Sequence, residues 1–365
     1  MRQLSGSSRA PEFLRARSLS VMFASLLVLL ALSRLAAGQE QQSANSISRE
    51  VKDVFERAAK AVVKIHGSDE HSEFFGTGFF VDPTGTLYTS YTVGGGEAGN
   101  FTIEYGGKQY PARQILADDR SGLAMLKVNL ATPALPIANS DQLEVATPIV
   151  MIGFPLDLPK TPSFGMIAGF DRRYLGRYFS TTHLRVNLPT QRGEAGSPLL
   201  NLRGEVVGIL VGSLEKNSSC YALPINAAEK IRGDFVRFGE VRHGWIGANV
   251  SFAKTPAEGS SAEITEIFGT TPATDSGMRP GDILLQVGKV RVHEPEDVLD
   301  ASFFITAGDT VPITVMRGNE KLTFNVQADF HPASKQPPLL AAPASPNRAI
   351  PLNLQAEPAR TDRTP

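Results

Sequence analysis

Short apolar runs broken by Gly, Pro and Asn dominate the chain between about residue 61 and residue 235. Val62-Val63-Lys64-Ile65 opens the series with β-branched residues. Gly78–Val81, Phe101–Tyr105, Ala124–Val128, Ile149–Ile152 and Val206–Val211 continue it. Gly106-Gly107, between two such runs, marks a hairpin. Many short strands with turn residues between them predict an all-β barrel or sandwich. Helical spacing occurs on either side. Val51, Val54, Phe55 and Ala58 share one helix face, with Ser46 or Ser48 as cap. A second helix is predicted from Asn226 to about Phe238.

From Gly244 to Phe330 the pattern describes a separate small domain. Strands are predicted near Ala262–Ile267, Ile283–Val287, Val311–Met316 and Leu322–Ala328. One amphipathic helix is predicted over Pro295–Ile305, with Pro295 in its first turn. The resulting division is 1–38 a secretory signal, 39–60 an N-terminal segment with its helix, 61–240 the large β domain, 243–330 the small domain and 331–365 a Pro-rich tail. That tail lacks the apolar content to order itself and is predicted to be disordered.

The ends of the chain set its compartment. Arg2, Arg9, Arg15 and Arg17 precede the apolar stretch Leu19–Leu32, and Ala36-Ala37-Gly38 follow. A basic segment, a short apolar core and small residues read as an export signal, with an uncleaved anchor as the alternative. Removal of residues 1–38 takes away five Arg and one Glu, moving the formal charge from -1 to -5. No basic field argues for nucleic acid. The single Cys220 forms neither an internal disulfide nor a thiolate metal cluster, and reads as a buried small residue. The six histidines read as surface residues, with no helical spacing that suits a metal, and no cofactor motif is present.

Several strings in this order resemble the HtrA/Deg family of serine proteases. Gly76-Thr77-Gly78-Phe79 is similar to that family's G-S-G-F, and Ile152-Gly153-Phe154-Pro155 to its I-G-N-P. Pro162–Ala168 resembles its T-S-G-I-V-S strand, and Tyr221–Asn226 its F-A-I-P-x-N. The resemblance spans roughly residues 47–330. It implies a mainly β fold, a trypsin-like double six-stranded β-barrel followed by a PDZ domain. It also implies a periplasmic or envelope location in a bacterium, and trimers built through the N-terminal segment, where Phe55 lies.

Hydrolysis on this fold needs a Ser nucleophile, a His base and an Asp that orients the His. The family's T-N-x-H-V-V corresponds to Thr89–Gly94, which puts Thr92 at the His position. D-(I/L)-A-(L/V)-L-K corresponds to Gly122–Lys127, which puts Gly122 at the Asp position. G-N-S-G-G-P-L corresponds to Gly193–Leu199, which puts Ala195 at the Ser position. Asp118 and Asp119 then read as solvated turn residues. Ser197, two residues beyond Ala195, is displaced by several ångströms, since neighbouring Cα atoms lie about 3.8 Å apart. The backbone of Gly193 and Ala195 is a vestigial oxyanion pocket, with Glu194 in place of the family's Asn. The expectation is a non-hydrolytic member of the family acting as scaffold, chaperone-like factor or regulator, with an active serine-type endopeptidase of envelope protein quality control as the alternative.

The binding device is retained. Trp245-Ile246-Gly247-Ala248 resembles the carboxylate-catching loop of the family's PDZ domain, and Gly277–Asp282 its A-G-L-K-P-G-D turn. Val250 belongs to the edge strand that follows, and Val298 and Phe303 are expected to wall the side-chain pocket. Trp245 reads equally as a core aromatic. The implied partners are peptides or protein C-termini bound by strand addition, and an active HtrA-type protease regulated by this chain.

Overall fold

The computed structural model describes residues 46–68, 73–95, 100–174, 177–214 and 218–330. The signal segment and the tail lie outside the described residues. Among those described, no helix is long and apolar enough to cross a membrane.

A helix over 46–58, α1, precedes the sheets. Six strands then close on themselves: β1 (Val62–Ser68), β2 (Glu73–Phe80), β3 (Thr86–Ser90), β4 (Asn100–Tyr105), β5 (Lys108–Asp118) and β6 (Leu123–Lys127). Their order around the barrel is β1-β2-β3-β6-β5-β4. The period of two does the sorting. Val63 and Ile65 point inward while Lys64 and His66 between them do not, and Phe101 and Ile103 repeat the alternation on β4. These residues pack with Phe80, Leu87 and Leu126 into one core.

The second barrel comprises β7 (Pro148–Gly153), β8 (Thr161–Tyr174), β9 (Arg177–Val186), β10 (Pro198–Leu200), β11 (Val206–Leu214) and β12 (Ser219–Pro224), ordered β10-β11-β12-β9-β8-β7. Ile149, Met151, Ile167, Leu184 and Val207 fill it. Cys220 is buried in β12, and burial pushes its thiol up to about 12, so it is an inert core residue. The predicted hairpin at Gly106-Gly107 joins β4 to β5.

A four-residue helix, α2 (Tyr91–Gly94), follows β3, and α3 (Ile225–Phe238) leaves β12. The small domain begins at β13 (Gly244–Trp245), which pairs with the last strand, β20 (Asp329–Phe330). Between them lie β14 (Ala248–Ala257), β15 (Ser260–Ile267), α4 (Pro272–Ser276), β16 (Ile283–Val287), β17 (Val290–Arg291), α5 (Pro295–Phe303), β18 (Thr310–Arg317) and β19 (Glu320–Gln327). The sheet runs β14-β15-β16-β18-β19, with β17 on β16, so β14 is an edge. Glu258-Gly259, inside the segment 255–261, forms the turn of the long β14–β15 hairpin.

Helix α5 ends two residues earlier than the sequence predicts. Its start is held by reciprocal bonds: Glu294 accepts from the Asp297 backbone and Asp297 from the Glu294 backbone. Asp297 also accepts from the His293 N–H at 2.7 Å.

Candidate functional site

Two threonines stitch the barrels together where the sequence places the catalytic positions. The Thr77 hydroxyl donates to the Gly193 carbonyl at 2.8 Å and accepts from the Phe154 N–H at 3.2 Å. The Thr77 N–H donates to the Ala195 carbonyl at 2.9 Å, and the Thr89 hydroxyl to the Thr77 carbonyl at 2.7 Å. The turn 193–197 of the second barrel is thus tied to β2 and β3 of the first. Gly196 has φ +85°, and a Cβ there would strike the Thr77 carbonyl and the Thr89 hydroxyl. Only glycine allows the two backbones to meet this closely.

The backbone segments that carry Thr92, Gly122 and Ala195 adjoin at this seam. The Tyr91 N–H donates to the Gly122 carbonyl at 2.6 Å, which sets Gly122 beside α2. A Cβ on Gly196 would lie 2.9 Å from the Ser90 nitrogen, which sets the Ala195 turn beside the same helix. Thr92 is exposed, and Gly122 and Ala195 are half-buried. The Thr92 hydroxyl hydrogen-bonds the Ser90 hydroxyl at 2.8 Å. Converged here are therefore a hydroxyl, a glycine hydrogen and a methyl group. None of them titrates near neutral pH.

The neighbouring serine is sealed. Ser197 is wholly buried, its hydroxyl lacks a partner, and a Cβ on Gly153 would strike it. Glu194 is turned inward as well. Burial pushes its carboxyl up, while the Gln191 N–H, donating at 2.6 Å, pulls it back. No described residue accepts from the N–H groups of Gly193 and Ala195, so two backbone donors still face this seam.

The histidines depart from expectation. His183 and His243 are buried, at 3% and 8% exposure. His183 bonds the Thr181 carbonyl at 2.9 Å through Nδ1. Burial, only partly opposed by that bond and by Asp300, pushes it down to about 4. His243 Nε2 bonds Asp118 Oδ1 at 2.9 Å. Asp118 is therefore no solvated turn residue: it is 7% exposed. Burial raises its carboxyl, but His243 and Ser121 together outweigh that and hold it below the usual carboxylate range. Sequence distance hid the pair, whose members are 125 residues apart. His66 and His293 face Glu104 and Asp297.

The predicted peptide loop is built as a cradle. Gly247 has φ +85°, and a Cβ there would strike Thr271. The Ile246 carbonyl accepts from the Ala273 N–H at 2.8 Å and the Gly247 carbonyl from the Phe268 N–H at 2.9 Å. Both carbonyls are thereby turned away, and no described residue accepts from the N–H groups of Ile246 or Gly247. Ile246, Ala248, Val250 and Val298 pack half-buried on the small-domain core, along the unpaired edge of β14. Trp245 stacks on Phe268 with ring centroids 6.2 Å apart.

Phe303 is not a pocket wall. It is 1% exposed, lies 5.9 Å from the His243 ring and sits under the Lys230 ammonium. It points at the joint with the barrels because α5 ends there. The signal that sequence reading lacked was tertiary: a phenyl on a helix face packs equally well on either neighbour.

The fold and site define a trypsin-like peptidase domain joined to a PDZ domain. Residues 76–209 match the trypsin-like peptidase domain and residues 244–328 the PDZ domain. Relatives named as serine endoproteases match across both domains. A probable periplasmic DegP-like serine endoprotease of Rhizobium meliloti is 26% identical over 285 residues, covering 74% of this chain and 55% of the relative. The serine endoprotease DegS of Salmonella typhimurium is 26% identical over 305 residues, covering 76% of this chain and 85% of the relative. The chain thus spans about half the length of the DegP-like relative. Among solved structures, an HtrA-type protease AlgW with tripeptide superposes with a TM-score of 0.66 at 22% identity, over 77% of this chain and 97% of that one. The serine endoprotease from Yersinia pestis gives 0.59 at 22%, over 77% and 98%.

Proposed function

We propose that this chain is an exported HtrA-like pseudoprotease that holds polypeptides or their C-termini through its PDZ domain without cutting them. The observation that carries the reading is the seam itself. Where the backbones converge as a protease site requires, the side chains are those of Thr92, Gly122 and Ala195. General-base catalysis needs a group that binds and releases a proton near the working pH, and none of these three residues supplies one. Ser197, the serine nearest Ala195 in sequence, is closed off against Gly153.

What the seam retains is binding geometry. Backbone donors alone leave roughly 10³–10⁴-fold acceleration over water, far below a working endopeptidase. The PDZ cradle, in contrast, keeps two N–H groups free to take a carboxylate beside an open strand edge. The basic leader and apolar core of residues 1–38 support export, and the DegP-like relative is named periplasmic.

The test is chemical labelling. The purified chain, treated with a fluorophosphonate probe and incubated with casein, is expected to show no adduct and no hydrolysis above background. Stoichiometric labelling that disappears in Ser197→Ala would sink the reading. Binding is checked with a pair of peptides of one sequence. The free-acid form is expected to bind and the C-terminal amide to lose at least about tenfold, since charge-assisted bonds to the carboxylate are removed.

A further inference from the structure

A second cavity lies where the PDZ domain rests on the second barrel, away from both the seam and the peptide cradle. Its volume is about 340 Å³, within the range of roughly 300–1,000 Å³ usual for ligand sites. Phe170 of β8 and Leu184 of β9 line it from the barrel, and Asp300 and Phe304 at the end of α5 line it from the PDZ side. Asp141 stands at its edge. The joint is firmly built: Asp300 Oδ1 accepts from the Thr182 N–H at 2.8 Å and from the Thr181 hydroxyl.

Two features of this cavity have no structural use. Phe170 and Phe304 are each 40% exposed, an unusual cost for phenyl rings at a domain joint. The charges do not balance either. Arg172 is already shared between Glu294 at 3.0 Å and Asp297 at 2.9 Å. The Asp141 carboxylate and Asp300 Oδ2 have no partner among the described residues. Of the charged side chains that line the cavity, two are carboxylates, Asp141 and Asp300, and one is the guanidinium of Arg172, whose partners Glu294 and Asp297 lie outside the lining.

We propose that this cavity binds an arginine side chain presented by a second polypeptide. A guanidinium stacks flat on a phenyl face and forks onto a carboxylate, so one group answers both features. The carboxylate excess supplies complementarity that a neutral apolar side chain would forgo. The cavity opens to solvent on one side, so the chain bearing the arginine lies across the mouth. This goes beyond the PDZ reading and does not depend on it.

The experiment uses the full mature chain and two fluorescein-labelled pentapeptide amides, Gly-Gly-Arg-Leu-Gly and Gly-Gly-Glu-Leu-Gly, followed by anisotropy. Amidation keeps the probes off the carboxylate cradle. The arginine probe is expected to bind saturably and the glutamate probe not to bind. Asp141→Asn and Phe170→Ala are each expected to weaken the arginine probe by about fivefold, the worth of one screened charge or one cation–π contact. Raising salt from about 50 mM to about 300 mM is expected to weaken it further. Unchanged circular dichroism and urea midpoints certify that both variants are folded. Absence of saturable binding, or binding unchanged by both substitutions, overturns the proposal. Tighter probe binding by a chain shortened to Phe330 also overturns it, because the chain's own tail would then be the occupant.

Discussion

His183 shows how a single side chain departs from its sequence expectation and what that does to stability. Nothing around it in the sequence predicts burial, yet it sits inside β9 with its imidazole held down to about 4. The unfolded chain takes up a proton near 6.5 that the folded chain refuses until about 4. Stability therefore falls as pH drops through that window, by on the order of 3 kcal/mol in all. Urea midpoints measured from pH 7 to pH 4 are expected to fall in the native chain, and to flatten over the same window in His183→Gln. Asp118 acts at lower pH: its depressed carboxyl contributes stability above the ordinary aspartate range, lost as pH falls through its folded value. Gly247, in contrast, was legible as a residue type. A side chain there meets both a positive φ and Thr271. Gly247→Ala is expected to cost about 1–3 kcal/mol and to abolish binding of a free-acid peptide, read by calorimetry.

Among the elements, β4, β6 and β18 were legible to within a residue or two, whereas β2, β8 and β11 extend three or more residues beyond their apolar runs, because pairing with a neighbouring strand lengthens them. β16 falls where its apolar run predicts, at Ile283–Val287. Helix ends were legible to within two residues: α3 starts one residue early at Ile225, and α5 ends two early at Phe303, with Phe304 as its cap and a lining residue of the barrel–PDZ cavity. The N-terminus of α5 carries more than a cap. Asp297 accepts from two backbone N–H groups and pairs with Arg172. Asp297→Ala is expected to cost about 2 kcal/mol in PDZ stability, while Arg172→Ala, removing one half-exposed partner, costs about 1 kcal/mol or less. Urea unfolding monitored at Trp245 separates the two, and equal losses would contradict the capping argument.

At the scale of the whole molecule, the linker after α3 is a pinned joint. Asp234 accepts from Lys230 at 2.7 Å, from the Arg242 N–H at 3.1 Å and from the Thr306 hydroxyl at 2.9 Å. His243 reaches into the first barrel for Asp118. Three separate elements thus share one buried polar knot. Removing one partner strands a charge away from water. His243→Ala is expected to destabilise the chain by about 3–5 kcal/mol. The double variant with Asp118→Asn should lose much less than the sum of the two single losses, measured by denaturation and by protease cleavage in the linker.

The sequence by itself determined where strand-like runs and turns fall and the residue types at Thr92, Gly122 and Ala195, and its resemblance to a known family carried the division into barrels and PDZ domain. Those are local properties: alternation, turn glycines and motif spacing are all written within a few neighbouring residues. Only the tertiary structure decided that Ser197 is sealed, that Asp118 and His243 form a buried pair, that Phe303 turns to the joint and that a charged, aromatic cavity lies between the domains. Burial and pairing depend on which distant segments exclude water from a side chain, and no local pattern encodes that.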